Sequence, residues 1–224
     1  MQTAEHKELA RKVSAGNSGR RASKEFRREQ LINATIDSLA ERGFAATTLA
    51  DVAEGAGLSR GIVNFHFESK EKLLVETLEY LSNEYTANWK GALAAAGGKP
   101  AERLLAIILA DLDESVCNPR KVAAWFAFYS EAATRPAYRD LCWARDDDFL
   151  GELFRLCSAL REDGEYDYDP RKMADALYAM QEGLWLRLMI DARSFKRTDA
   201  AQSSLAALAA LCPKHFEVDG SLRK

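Results

Sequence analysis

Residues 47–70 read TTLADVAEGAGLSRGIVNFHFESK, and this stretch decides the fold. Thr48 is placed to cap a short helix with an apolar inner face. Gly57 follows where the chain has to turn sharply, because only glycine takes a positive φ freely. Ser59 can cap a second short helix, on which Ile62 and Val63 face inward. Two short helices joined by a glycine turn predict a helix-turn-helix, a motif that can place its second helix in the major groove of DNA.

The composition is typical of a globular protein outside the membrane. The chain has 224 residues, of which 47% are hydrophobic and 29% charged, enough for one large or two small domains. No apolar run approaches the roughly 20 residues that span a bilayer, and the N-terminus lacks the apolar segment of a secretory signal. We therefore expect a cytoplasmic protein that does not enter a membrane.

The cysteines indicate neither disulfides nor a zinc site. They are widely spaced, no CxxC occurs, and two of the three histidines are far from them in the sequence. Reduced thiols that pack in the interior are expected instead. The four residues are Cys117, Cys142, Cys157 and Cys212.

The charge distribution says more than the net charge of −3. Residues 1–30 hold eight basic and four acidic residues, a net of +4, whereas residues 76–224 carry most of the acidic excess. A basic end next to a helix-turn-helix favours a DNA-facing surface. The alternative is a solvated tail that happens to be basic.

Helical periodicity extends along the chain, and no stretch shows the alternation of a strand. We predict an all-α fold of about nine helices: a three-helix DNA-binding domain, followed by a larger helical domain for effector binding and dimerisation. Ser23 begins the first long helix, which Gly43 ends, and an acidic loop is expected at 162–165. The predicted divisions are a flexible basic arm at 1–22, a helix-turn-helix domain at 23–69, an effector-binding and dimerisation domain at 70–213, and a frayed tail at 214–224.

From about Arg27 to Leu74 the chain resembles the TetR family of bacterial transcription regulators. The matching features are Gly43-Phe44, Thr48, Val52-Ala53, Ala56-Gly57-Leu58-Ser59, Gly61, His66-Phe67, Lys70 and Leu73-Leu74. The resemblance implies an all-helical homodimer that binds an operator in double-stranded DNA and responds to a small-molecule effector. The family usually has tyrosine where this chain has Asn64, so the tyrosine's contact to the DNA backbone is not carried over to this position.

The body is similar to the BetI-type branch of that family, which represses genes for the conversion of choline to glycine betaine. The similar segments are Ala124-Trp125-Phe126-Ala127-Phe128-Tyr129 and Gly183-Leu184-Trp185-Leu186-Arg187. Membership implies that the effector is choline-like or another amine. Relatives with this domain also respond to other metabolites, so the effector stays open here.

The second short helix is the expected recognition helix. Arg60 and Asn64 lie one turn apart, so both can face the groove. There arginine can read guanine and asparagine adenine, or either side chain can contact a phosphate instead. Gly61 permits close approach, and Phe65 either meets DNA or packs on the neighbouring helix. The residues predicted to contact DNA are Thr48, Ser59, Arg60, Gly61, Asn64, Phe65, His66 and Lys70, with Arg20, Arg21 and Lys24 of the basic end.

Aromatic residues on two helices of the body offer a site for a cationic ligand. They stand at helical spacing, which equally suits a plain hydrophobic core. Glu182 needs a partner if it is buried, and Arg187 or a backbone donor can supply one without any ligand. The predicted ligand residues are Trp125, Phe128, Tyr129, Tyr178, Glu182 and Trp185, with Trp143 and Asp146 as weaker candidates.

The last two long helices resemble the family's dimerisation pair, so we expect a homodimer on a palindromic operator. Ala200, Leu205, Ala206, Leu208, Ala209 and Leu211 are expected to supply the packing surface of the last of them. No nucleophile motif, phosphate-binding loop or metal-ligand spacing occurs, which argues against an enzyme and implies no cofactor or metal. Two alternatives to a repressor stay open, namely an activator of the same family and a DNA-binding protein without an effector.

Overall fold

The computed structural model describes residues 2–223, with side chains described from Ser23 onward. Within those residues the chain forms nine α-helices and no strand, in agreement with the predicted fold class. The helices are α1 (Gln2–Ala46), α2 (Leu49–Gly55), α3 (Arg60–His66), α4 (Lys70–Ala95), α5 (Pro100–Ala110), α6 (Pro119–Ala132), α7 (Pro136–Gly164), α8 (Pro170–Ile190) and α9 (Arg197–Leu211).

The helix-turn-helix forms where the sequence predicted it, and its glycines explain the turns. Gly43 leaves helical geometry inside α1, with a φ of 76°, and so ends the regular helix at the predicted residue. Gly57 has a φ of 64° in the turn between α2 and α3. Thr48 caps α2 and completes a capping box with Asp51. Val63 of α3 is fully buried, which fixes the inner face of the short helix.

The body packs α4–α9 around a continuous hydrophobic core that also includes side chains of α1. Helix α4 begins in the DNA-binding domain and continues along the body, where Tyr85 and Trp89 are buried. Helix α6 runs beside α1 and also contacts α7 and α8. Two helices therefore connect the DNA-binding domain to the interior of the body.

Three predicted boundaries differ from the structure. Helix α1 starts at Gln2 and not at Ser23, because helix-forming Gln, Glu, Ala, Lys and Arg dominate that stretch and no proline interrupts it. Helix α7 continues to Gly164, where an acidic loop was expected, and the chain turns at Glu165 in the left-handed region. The predicted fraying at 214–224 is wrong for residues 214–223, since Phe216 is buried and bridges to Leu222. The remaining divisions of the chain stay predictions.

Part of the surface predicted for dimerisation faces the protein's own core. Ala200 and Leu208 are completely buried within the chain, because one side of α9 packs on the body. Ala206 and Leu211 are exposed, and Leu205 and Ala209 lie between these extremes. Only the outer side of α9 is therefore available to a partner.

The four cysteines are unpaired and buried, as expected for packing thiols. Burial raises the pKa of Cys157 to about 12 and that of Cys142 to about 11, so both stay protonated. No helix in the described part of the chain is long and apolar enough to cross a membrane.

Candidate DNA interface and effector site

Helix α3 presents an exposed outer face that suits contact with DNA. Arg60, Gly61, Asn64 and Phe65 are all exposed, and they lie opposite the buried Val63. Phe65 is 75% exposed and touches the edge of the neighbouring His66 ring, so it does not pack into the domain. An exposed aromatic beside an arginine and an amide is a surface that base edges and sugars can contact.

Ser59 and Gly61 at the start of α3 leave the backbone open to a ligand. Ser59 occupies the N-cap position, but its hydroxyl makes no capping hydrogen bond, contrary to the prediction, and it remains available to a phosphate. A Cβ at position 61 would meet Ser59 Oγ at 3.8 Å, an ordinary contact. The folded chain itself therefore does not require glycine at this position.

The residues predicted to contact phosphates are partly engaged within the domain. The Thr48 hydroxyl donates to Asp51 Oδ2 over 2.6 Å, and the Lys70 ammonium donates to the Phe44 carbonyl over 3.3 Å. Lys70 has further protons for a phosphate, whereas the Thr48 hydroxyl must exchange its partner. Burial, and next the nearby Arg28, lower the pKa of His66, so this imidazole is neutral near pH 7.

Lys24 is exposed near the start of the DNA-binding domain, which is compatible with its predicted role. The side chains of Arg20 and Arg21 lie outside the described residues.

The predicted ligand residues fall into three groups in the structure. Trp125, Tyr129, Tyr178 and Glu182 come together around one buried side chain, Arg145. Phe128 and Trp185 are buried core residues of the surrounding packing. Trp143 is 66% exposed on the outside of α7, so its assignment to the pocket is wrong, because the helix turns it away from the body.

Arg145 holds the centre of this cluster and was not predicted. Its side chain is 2% exposed, and its Cζ lies 4.3 Å from the centroid of the Trp125 ring and 4.7 Å from that of Tyr85. Its Nε donates to Asp146 Oδ1 over 2.7 Å, and its Nη2 lies 3.4 Å from Glu182 Oε1. Burial opposes the charge, but Tyr129 and Asp146 hold the pKa of Arg145 above its usual range.

The partner of Glu182 is therefore not Arg187, which was one of the two expected solutions. Arg187 lies over the Phe195 ring at 3.9 Å, on the other side of α8. Glu182 Oε1 accepts hydrogen bonds from Arg145 Nη2 and from the Tyr129 hydroxyl, each over 3.4 Å. Burial raises the pKa of Glu182, and Arg145 opposes that shift.

A buried polar network lies directly behind the cluster. The Tyr85 hydroxyl donates to Asp111 Oδ1 over 2.7 Å, and Gln181 Nε2 donates to Asp111 Oδ2 over 3.0 Å. Ser204 of α9 donates to Gln181 Oε1 over 2.8 Å. Burial raises the pKa of Asp111 to about 6. Helices α4, α8 and α9 and the end of α5 thus meet at one carboxyl group.

A sequence signal for Arg145 did exist. Arg145 lies on the buried stripe of α7, one turn after Cys142 and one turn before Phe149. A lone arginine on an apolar stripe has to find an acid or an aromatic face inside the protein. That stripe predicts burial, but it does not say which helices supply the partners.

A separate cleft of about 170 Å³ lies between the α5–α6 and α8–α9 connections. None of the predicted ligand residues lines it. Its walls include Cys117, Val122, Leu188, Phe195 and Arg197. Because aromatic faces and buried charges converge at Arg145, that cluster and not the cleft is the candidate effector site.

An exposed helix-turn-helix joined to a larger helical body is the arrangement of a DNA-binding regulator. Comparisons with known proteins agree with this class. Residues 31–77 match the family model of bacterial regulatory proteins of the tetR family, and residues 100–213 match that of the C-terminal domain of BetI-type transcriptional repressors.

The chain therefore belongs to the TetR family and to its BetI-type branch. The HTH-type transcriptional regulator BetI of Paraburkholderia phymatum is 35% identical over 176 residues, which cover 73% of this chain and 82% of the relative. A Pseudomonas aeruginosa structure described as a transcriptional regulator is 26% identical, with a TM-score of 0.73 over 84% of this chain and 91% of the other.

A protein of Saccharomonospora viridis, also described as a transcriptional regulator, has been solved in complex with choline. It is 20% identical, with a TM-score of 0.73 over 82% of this chain and 95% of the other. At this identity the likeness concerns the fold. Family membership makes this chain a DNA-binding transcription regulator and not an enzyme.

Proposed function

We propose that this regulator is a homodimeric repressor that a small organic cation, choline-like in chemistry, releases from a palindromic operator. The observation that carries the proposal is the cluster of Trp125, Tyr129 and Tyr85 beside Glu182 and Asp146. Aromatic faces with nearby carboxylates are the surroundings that quaternary ammonium groups prefer. The choline bound by the Saccharomonospora viridis protein supports the same chemistry.

The dimer is supported by apolar side chains left exposed on the last two helices. Leu186 and Ile190 of α8 are 41% and 72% exposed, and Leu211 of α9 is 42% exposed. Exposed apolar surface of this kind marks an interaction site, and two such helix pairs related by a two-fold axis make a four-helix interface. Because dimers present two recognition helices, the operator is expected to hold two half-sites roughly 34–36 Å apart. A regulator of this kind acts on DNA in the cytoplasm.

Direct contacts lead from the cluster to the DNA-binding domain. Trp125 and Tyr129 face Arg145, whereas Phe128 on the same helix packs edge-on against Phe44 of the first domain, with ring centroids 6.1 Å apart. Arg120 at the start of α6 donates to the Asn33 carbonyl of α1 over 2.7 Å. A shift of α6 on ligand binding would therefore move the domain that carries α3.

A second route for the same transmission runs along α4, which also extends from the DNA-binding domain into the body. Lys70 at its start is bonded to the Phe44 carbonyl, and Tyr85 further along faces Arg145. The ligand changes the operator affinity only through its different affinities for the two arrangements.

Fluorescence anisotropy on an operator selected from a random DNA pool tests the proposal. Choline, betaine aldehyde, glycine betaine and polyamines are added in turn to the preformed complex. We expect a cation to weaken operator binding at least tenfold, about 1.4 kcal/mol of coupling. If no cation in the panel changes the operator affinity, the proposal of a cationic effector is wrong. If a cation tightens operator binding, the result favours an activator or a repressor that needs the cation as corepressor.

Matched variants locate the effect. Glu182→Gln should weaken the response to the cation, while Glu162→Gln, an exposed carboxylate on α7, should leave it unchanged. Equal responses of the two variants would place the effector elsewhere in the body.

A further inference from the structure

The strongest unexplained feature of the body is that its aromatic cluster already contains a cation. The Arg145 side chain is 2% exposed, and its Cζ lies over the rings of Trp125, Tyr85 and Tyr129, at 4.3, 4.7 and 5.6 Å from their centroids. These separations are the ones at which a ligand cation is held by aromatic rings. The rings of Trp125, Tyr85 and Tyr129 therefore form an aromatic cage, a cation site that the protein fills with its own Arg145 side chain.

Two cations cannot occupy this cage together. A quaternary ammonium centred on the same rings would lie within a few ångströms of the guanidinium, where like charges repel strongly in surroundings with little water. The guanidinium also occupies the space beside both carboxylates, because Asp146 Oδ1 contacts its Nε and Nη2 and Glu182 Oε1 lies 3.4 Å from Nη2. A cation that enters the cage must therefore move Arg145 out of it.

We propose that Arg145 is a built-in competitor for the effector: it fills the cage in the effector-free protein, and a cationic effector binds by displacing it. This inference rests on the cationic effector proposed above. It assigns to Arg145 the control of effector affinity and selectivity, since only a cation that the cage holds better than the guanidinium can act.

The contacts of Arg145 show why displacement is feasible. Its Nη1 is buried without an acceptor, so the filled cage leaves the donors of one guanidinium nitrogen unsatisfied. Asp146 and Glu182 are 21% and 30% exposed, so both carboxylates reach the surface beside the cage. The guanidinium can therefore move toward solvent and keep an acidic partner throughout.

Displacement would also loosen the contacts between helices. Arg145 is on α7, Tyr85 on α4 and Trp125 on α6, so the filled cage ties three helices together. An incoming ligand breaks that tie at the two helices that contact the DNA-binding domain. Displacement of Arg145 therefore couples binding of the effector to a rearrangement of α4, α6 and α7. Because a neutral molecule of the same shape does not displace the guanidinium, it should have no effect on operator binding.

Nuclear magnetic resonance of the arginine Nε–H groups tests the displacement in the full-length protein. The Arg145 signal, assigned by its loss in Arg145→Lys, should be ring-shifted and slow to exchange with water. Saturating choline should move it to the position of exposed arginines, whereas 3,3-dimethyl-1-butanol, the neutral isostere, should not. If tryptophan fluorescence shows that choline is bound while the Arg145 signal stays in place, the inference is overturned.

A variant tests the cage without reference to DNA. In Arg145→Ala the emptied cage should bind tetramethylammonium at least tenfold more tightly than the wild type, and methylguanidinium should raise the Tm of the variant alone. Arg139→Ala, an exposed arginine on the same helix, is the control and should bind like the wild type.

The outcomes separate this inference from the proposed function. If no cation releases the wild type from the operator but the emptied cage binds tetramethylammonium, the effector proposal fails and the cage is still a cation site. If Arg145→Ala binds cations no better than the wild type, or loses a carboxylate ligand that the wild type binds, Arg145 is not a competitor. Should that variant fail to fold, the resonance experiment on the wild type decides the question.

Discussion

Replacement of Gly61 by alanine separates folding from DNA binding, because the two should respond in opposite directions. Gly61 is an exposed residue in the first turn of α3, on the face that carries Arg60 and Asn64. A methyl group there would meet Ser59 Oγ at 3.8 Å, which is an ordinary contact. Nothing in the folded chain opposes the substitution.

The expected gain in stability follows from helix propensity. Alanine is favoured over glycine in a helix interior by about 0.8–1.0 kcal/mol, and position 61 lies in the first turn, so the gain is at most about 1 kcal/mol. In a protein of this size that corresponds to an increase in Tm of roughly 2–4 °C. Gly91→Ala is the matched control, since Gly91 is also exposed and helical, with no neighbouring atom within 4 Å of the added methyl group.

Operator binding should move the other way. If α3 enters the major groove with Gly61 against the DNA, the methyl group pushes the helix away and weakens the contacts of Arg60 and Asn64. We expect operator affinity in anisotropy titrations to fall at least tenfold, about 1.4 kcal/mol, for Gly61→Ala and to be unchanged for Gly91→Ala. Wild-type operator affinity in Gly61→Ala, with its Tm raised, would refute close approach at this position.

Three further perturbations probe the interface, the polar network and the coupling. Lys70→Ala should weaken binding to all DNA sequences and flatten its salt dependence, whereas Arg60→Ala should also relax specificity at one base pair. If the titrations of both variants match the wild type, α3 is not part of the DNA interface. Because burial raises the pKa of Asp111 from 3.8 to about 6, the folded protein takes up a proton there that the unfolded chain does not, so this carboxyl adds stability as pH falls from 7 toward 4. Urea unfolding at pH 7 and pH 5 should show that Asp111→Asn lacks this gain, and parallel pH dependences would contradict the assignment. Phe44→Leu reduces the contact with Phe128 through which α6 touches the DNA-binding domain. Calorimetry should give an unchanged effector affinity, while the effector should release less of the bound operator. Full release of the operator would exclude transmission through this contact.

The DNA-binding end could be predicted from the sequence because its signals are local. Thr48 caps α2, Gly57 turns the chain, and Val63 fixes the inner face of α3 within a span of a few residues. Once Val63 points inward, helical geometry leaves Arg60 and Asn64 on the outside. Their exposure agrees with that reasoning.

The effector site was only partly predictable because its members meet over long distances in the chain. Helical spacing correctly put Trp125 and Tyr129 on one face, but it equally put Phe128 there, and that ring packs on Phe44 instead. Arg145 comes from another helix, and no local pattern says that its buried side meets the face of Trp125. Helical spacing predicts which side of a helix is buried, whereas helix packing determines which buried sides meet.

The same limit explains the errors at the ends of the chain. Ala200 and Leu208 fit an apolar interface by composition, but packing of α9 on the body buries them within the chain. The tail is rich in polar residues, yet its Phe216 finds an apolar site, and His215 Nε2 meets Asp163 Oδ2 at 2.9 Å. Burial of one aromatic ring is enough to hold the tail against the body, although the neighbouring residues are polar.

The most direct test of the account is the distance between the two recognition helices, measured by pulsed electron paramagnetic resonance. A spin label at Glu68→Cys, exposed just after α3, can be attached selectively because the native cysteines are buried and their thiols stay protonated. With operator bound, the labels should report one narrow separation compatible with half-sites roughly 34–36 Å apart. Saturating effector should shift that separation by several ångströms as the DNA dissociates. An effector that occupies the body and releases the DNA without changing the distance would contradict the account.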